Sequence, residues 1–291
     1  MRLDSHQHFW AYNHTDYPWI PKDSSLARDW LPHDLLTIQK PLDFDGSIAI
    51  QARQSIEESS WLLSLADRTP EIRGVVGWVD LRSKQVEEQL ALLALHPKFV
   101  GVRHVIEDEQ DEQFLLRPEF VHGISKLSQF GLAYDLLIRP HQIAAATELV
   151  AQLPEQRFVL DHLAKPQIKD QIFFEWHLDI CELAKMPNVC CKVSGLITEA
   201  DHKGWHPDDF IPYLDRIFEY FGPDRIMFGS DWPVCLLAGD YGQVFELINQ
   251  YTAHFPEEDR VKLFGTNALR FYFPKNSLRN DFAPARSDAG I

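Results

Sequence analysis

Cysteine is scarce in this chain: four residues, Cys181, Cys190, Cys191 and Cys235, with no CxxC pair. That excludes a disulfide-stapled secreted scaffold and predicts reduced thiols in a cytoplasmic protein. Cys190 and Cys191 are adjacent, so on a strand they point to opposite faces. No apolar run is long enough to cross a membrane, and the opening MRLDSHQHFW lacks the apolar core of a signal peptide. Positive charge is also short, with 28 Lys and Arg against 43 Asp and Glu and a net charge of −15. A surface this acidic repels nucleic acid and anionic lipid, so neither is expected as a partner; an anionic substrate must be captured by local cations. No glycine-rich dinucleotide or phosphate loop follows an early strand, and no GxSxG elbow occurs. A Rossmann domain and a serine nucleophile of the α/β-hydrolase kind are thereby disfavoured.

What is present is ordinary for a large globular domain: 291 residues, 45% hydrophobic and 24% charged. Short apolar runs recur at Arg2–His8, Ser47–Ala52, Val75–Leu81, Phe99–Val105, Leu132–Ile138, Phe158–Leu163, Val189–Ser194 and Ile226–Ser230. They lack polar alternation, as strands covered on both faces do. Helix-like segments separate them: Ser55–Arg68, which opens with a capping-box spacing from Ser55 to Glu58, then Lys84–Leu95, Arg117–Phe130, Pro140–Leu153, Phe173–Lys185 and Asp208–Phe221. Strand–helix alternation repeated eight times predicts an α/β fold, a single (β/α)₈ TIM barrel over residues 1–274. Residues 9–45 form a long excursion after the first strand, rich in aromatics, which is expected to cover the barrel mouth. Residues 275–291 read as a loosely attached polar tail.

Functional side chains of such barrels sit at the carboxyl ends of strands. His6 and His8 end the first run, two residues apart, and so share a face. His162 ends the sixth run and Asp231 the eighth. Three imidazoles and one carboxylate from three strand ends form a plausible single-metal set. Taken singly, His162 reads equally well as a satisfied core histidine and Asp231 as a helix cap; their joint placement argues otherwise. Arg103 and His104 end the fourth run, and as strand neighbours only one of them enters the barrel; His104 is the favoured one. Lys165, just past His162, is a candidate to hold an oxyanion. Asp135 on the fifth run is a candidate for substrate hydroxyls, and Trp10 and Trp232 flank the proposed site as candidates to stack on a sugar ring. Asn267 reads as the cap of a C-terminal helix.

The HxH after strand one, the histidine after strand six and the aspartate after strand eight resemble the amidohydrolase superfamily. The segments MRLDSHQHFW, GVRHVIEDE, LDHLAKP, KVSGL, MFGSDWPV and FGTNALRFY are similar to its sugar-lactone hydrolases, over nearly the whole chain. The resemblance implies a hydrolase that opens a sugar-acid lactone such as L-fuconolactone or L-rhamnonolactone. It also implies one divalent metal, zinc favoured and manganese suited, held by His6, His8, His162 and Asp231. Many superfamily members bridge two metals through a residue on strand five; Ala133–Leu137 carries no Lys or His, so a binuclear centre is not expected. Lactonases that keep this ligand set and work without metal leave metal dependence open.

On this reading water attacks the lactone carbonyl, Asp231 is the general base, and His104 or Lys165 stabilises the oxyanion. Two rivals stand beside it. A metal-dependent decarboxylase of an aromatic or muconate-type acid would use the same ligands, and a barrel with a decayed site would only bind a metabolite or a protein. The sequence leaves homo-oligomerisation open.

Overall fold

The computed structural model describes residues 1–274; the polar tail 275–291 lies outside the described residues. The strands are β1 (Asp4–Gln7), β2 (Ser47–Ile50), β3 (Ile72–Gly77), β4 (Phe99–Val105), β5 (Ala133–Leu137), β6 (Phe158–Leu160), β7 (Val189–Val193) and β8 (Ile226–Phe228). They form one sheet in sequence order, every neighbouring pair parallel. The sheet curls back on itself. Gln7 and Trp232 form a parallel bridge, Asp231 N–H donates to His6 O at 2.8 Å, and His8 N–H donates to Trp232 O at 2.7 Å. The expected (β/α)₈ barrel is the observed architecture.

The helices are α1 (Pro32–Gln39), α2 (Ile56–Arg68), α3 (Val86–Leu93), α4 (Pro118–Leu127), α5 (Ile143–Gln152), α6 (Phe174–Ala184), α7 (Ile211–Phe221), α8 (Tyr241–Tyr251), α9 (Glu257–Val261) and α10 (Asn267–Tyr272). Ser55 caps α2 by accepting from Glu58 N–H at 3.2 Å. Glu58 does not reach back to complete the box. Its carboxylate accepts from Ala52 N–H at 3.0 Å, Arg53 N–H at 2.8 Å and the Tyr17 hydroxyl at 3.1 Å. Strand β3 starts and stops earlier than its apolar run suggests. A side chain at Gly77 would come within 2.6 Å of Ser59 Oγ, and that hydroxyl accepts from Trp78 N–H at 2.8 Å, ending the ladder.

Strand neighbours face two different cores. Val75, Val102, Leu136, Phe158, Cys191 and Phe228 pack outward against the helices. Ile48, Val76, Ala133, Val159, Met227 and, from α10, Phe271 and Tyr272 fill the inside, with Cys190 against them. Helix α10 thus plugs the end of the barrel away from the strand carboxyl ends. Asn267 does not cap it; its amide donates to Pro223 O and Ile226 O, both at 2.7 Å, fastening the helix to β8.

The first part of the excursion packs on the carboxyl-end side of β2. Trp19 Nε1 donates to Ala52 O at 3.0 Å, Arg53 pairs with Asp16 at 3.0 Å, and Tyr17 reaches Glu58. Trp10 and Trp30 bridge antiparallel within it. The chain then descends through α1 to re-enter at β2.

Candidate active site

His6, His8 and Asp231 bring donor atoms within 4.8 Å of one another at the strand ends, and His162 stands beside them. His6 Nε2 and His8 Nε2 are 3.2 Å apart. Asp231 Oδ1 lies 3.4 Å from His8 Nε2, 3.8 Å from His6 Nε2 and 3.9 Å from His162 Nε2. All four residues are buried. The far nitrogens are fixed: His8 Nδ1 meets Ile50 O at 2.9 Å and His162 Nδ1 meets Ser194 Oγ at 2.8 Å. That leaves the Nε2 atoms turned to the common point. A tetrahedral ion with bonds of ~2.1 Å has ligands ~3.4 Å apart; the three separations among His6, His8 and Asp231 bracket that value, and His162 Nε2 stands 3.9 Å from Asp231. The donor set fits a divalent metal.

Backbone conformation aims two of these side chains. His162, Leu163, Ala164 and Lys165 all have φ between 50° and 60°, and Asp231 has φ 57°. Non-glycine residues pay roughly 1 kcal/mol or more to sit there, so the packing must hold them. Trp176 Nε1 donates to Leu163 O at 2.7 Å, and Lys165 N–H to His162 O at 2.7 Å. Two glycines make room for the rings. A Cβ on Gly195 would lie 2.5 Å from His162 Nδ1, and one on Gly229 would lie 2.6 Å from His6 Cβ.

Burial keeps the imidazoles neutral: it lowers His6 well below its ordinary pKa, lowers His8, and brings His162 down to about 4. Neutral imidazole is the form that binds a metal. Burial alone would raise Asp231, but His162, the His8 hydrogen bond and His6 outweigh it and hold the carboxyl well below the usual range. A carboxylate beside the ring nitrogens of buried imidazoles is a donor set of the kind that holds a cation.

Beneath this cluster lies a layer of charge that the sequence reading did not assign. Asp161 Oδ1 is 3.4 Å from His6 Nδ1 and 2.9 Å from Lys192 Nζ, and its Oδ2 is 3.2 Å from Arg103 Nη1. Asp4 Oδ1 accepts from His6 N–H at 3.1 Å and Ser230 N–H at 2.9 Å, while its Oδ2 accepts from Ser230 Oγ at 2.6 Å and the Tyr241 hydroxyl at 3.1 Å. Asp4 thereby stitches β1 to the turn that carries Asp231. The signal was visible: a charged residue beside a site histidine, within an otherwise apolar run.

Several sequence expectations are corrected by position. Arg103, not His104, enters the barrel. On β4, Val102 and His104 share the outward face, where His104 stacks on Phe114 at 5.2 Å between ring centres, accepts from Trp78 Nε1 at 3.2 Å and pairs with Glu109 at 2.8 Å. Arg103 is anchored by Gln51, its Nε donating to Oε1 at 2.9 Å, and its Nη1 stands 3.3 Å from His6 Nε2. Asp135 is fully buried and taken by Lys192 at 2.5 Å and the Tyr272 hydroxyl at 2.8 Å, so it meets no substrate hydroxyl. Trp10 is fully buried within the excursion, its Nε1 donating to Arg28 O at 2.9 Å. Trp232 is fully buried between Phe9 and Trp30. Neither indole offers a face to a sugar. Lys165 remains at the rim, ion-paired with Glu107 at 2.6 Å, and Glu107 also holds Arg139 at 3.1 Å.

Barrel, ligand cluster and strand-end placement together define a class, and the chain belongs to it. The Amidohydrolase family matches residues 3–273. Among its relatives, an L-fucono-1,5-lactonase of Burkholderia multivorans is 39% identical over 284 residues, covering 94% of this chain and 96% of that one. A second L-fucono-1,5-lactonase, from Burkholderia ambifaria, is 37% identical, covering 94% and 95%. A crystal structure of an amidohydrolase from Burkholderia multivorans with bound zinc superposes with a TM-score of 0.88 at 38% identity, covering 94% of this chain and 99% of that one.

Proposed function

We propose that this chain is a sugar-lactone hydrolase that opens an aldono-1,5-lactone of the L-fucono type, with Asp231 as general base. What supports the reading is that His6, His8 and Asp231 bring buried donor atoms within 4.8 Å of one another, with His162 Nε2 3.9 Å from Asp231, in a chain about two-fifths identical to two L-fucono-1,5-lactonases. His6, His8, His162 and Asp231 would hold one divalent ion, with zinc favoured by the zinc-bound relative. When bound, such an ion polarises a carbonyl and lowers the pKa of water toward about 7.

The chain's own groups do the rest. Asp231 Oδ2 accepts the proton of the water that attacks the lactone carbonyl, and returns it to the ring oxygen as the C–O bond breaks. The product is the open hydroxy acid. Lys165 replaces His104 as the candidate to stabilise the carbonyl oxygen as it becomes an oxyanion, because His104 faces the helices. Arg103, whose guanidinium borders His6, adds fixed positive charge at the floor of the site. The four unpaired cysteines support a reducing, cytoplasmic setting. No helix among the described residues is long and apolar enough to cross a membrane.

A pH-indicator assay over a panel of aldonolactones, run beside a CO₂-release assay on aromatic acids, tests the reading. Acid release from L-fucono-1,5-lactone without CO₂ release is the expected result. CO₂ release, or silence in both assays from folded, metal-loaded protein, overturns it.

A further inference from the structure

Lysine is among the most costly side chains to bury, because its ammonium loses its water shell; an apolar residue of similar volume is often as stable or more so. Lys192 is fully buried inside the barrel, in the same interior as Val159, Met227 and Ile50. Its ammonium ion-pairs with Asp161 at 2.9 Å and Asp135 at 2.5 Å, lies 3.2 Å from His6 Nδ1, and stands 5.6 Å from the centre of the Tyr272 ring. Asp135 Oδ2 in turn accepts from the Tyr272 hydroxyl at 2.8 Å. Asp135 Oδ1 has no hydrogen-bond partner among the described residues, so its charge is answered at one oxygen only. Tyr272 comes from α10, the helix that plugs the far end of the barrel.

We propose that Lys192, Asp135 and Tyr272 are positioning residues, a relay that fixes the His6 ring and Asp161 from the closed end of the barrel. None of the three is exposed, so none can touch substrate. The relay rests on His6 belonging to the reacting centre, as in the proposed function. Its logic is electrostatic. Lys192 divides its ammonium between two carboxylates, and the Tyr272 hydroxyl carries part of the load of Asp135. Without that hydroxyl Asp135 pulls harder on Lys192, the hold on Asp161 slackens, and Asp161 no longer fixes the Nδ1 side of the His6 imidazole. Partners one layer behind a metal ligand are worth 10–100-fold in metal affinity or activity.

The test uses Tyr272→Phe, which keeps the ring that packs in the barrel end, and Lys192→Met. Zn²⁺ dissociation constants by chelator competition, kcat and KM on L-fucono-1,5-lactone, and Tm are read for each. Tyr272→Phe is expected to weaken Zn²⁺ and lower kcat about tenfold each with KM within twofold; Lys192→Met is expected to do so about 100-fold. If Lys192→Met does not fold, Lys192→Met with Asp135→Asn removes the uncompensated charge and must show the same loss. Tyr272→Phe with wild-type Zn²⁺ affinity and kcat, and only a lower Tm, overturns the relay. A wild-type chain that binds no Zn²⁺ would overturn the metal assignment instead, and the kcat of Tyr272→Phe would then decide the relay alone.

Discussion

Gly195→Ala probes the site without removing any functional group. Gly195 follows Ser194 at the end of β7 and has φ 62°. A methyl group there lies 2.5 Å from His162 Nδ1 and 2.7 Å from its Cγ. Ordinary carbon contacts need about 3.5 Å, so the imidazole must retreat by roughly 1 Å. It cannot retreat freely, because Nδ1 is bonded to Ser194 Oγ and its own backbone is left-handed. The Nε2 atom is therefore displaced from its place 3.9 Å from Asp231. A misplacement of about 1 Å costs on the order of 10²-fold in rate, and alanine in the left-handed region costs about 1–2 kcal/mol of stability. Stopped-flow lactone hydrolysis, metal content by mass spectrometry and calorimetry read the two effects apart. The expected result is a kcat about 100-fold lower, reduced metal occupancy and a Tm lower by several degrees. A Gly195→Ala variant with full metal and wild-type kcat would refute the claim that His162 must stand where it does.

Glu58, which ties the excursion to the loop after β2, is pushed up to about 7 by burial from an ordinary value of 4.5. A raised carboxyl pKa favours the fold while the group is protonated. Its contribution is complete below about pH 4.5 and is lost as pH rises through about 7, up to about 3 kcal/mol. Glu58→Gln should flatten the fall of Tm over that window, and parallel profiles for the two proteins would contradict the reasoning. Arg103→Met and His104→Phe separate two strand neighbours: the first should lower kcat by 10²-fold or more, the second should leave kcat within about threefold and lower Tm by a few degrees. Equal losses of kcat would mean that both side chains serve the chemistry.

The barrel was legible because buried parallel strands write themselves as apolar runs, and eight of them fell at barrel spacing. His6, His8, His162 and Asp231 stood out in the sequence because each lies at or next to the end of such a run. The facing of Arg103 and His104 was not, since strand parity says that neighbours oppose each other and not which one turns inward. The inner charge layer was missed for a related reason. Lys192, Asp161 and Asp4 gain meaning only from partners on other strands, Asp4 joining Ser230 from 226 positions away. Trp10 and Trp232 lie beside the site in sequence, but the excursion closes over them and turns both indoles into core.

Asp231→Asn tests the central claim most directly. Asparagine keeps the shape of aspartate and cannot take a proton from water at neutral pH. Measured on L-fucono-1,5-lactone with zinc content read on the same sample, the variant is predicted to lose at least about 10²-fold in kcat at any metal occupancy, with its fold retained. Recovery of the rate under excess zinc would make Asp231 a ligand and no base, and turnover near the wild-type level would remove it from the mechanism.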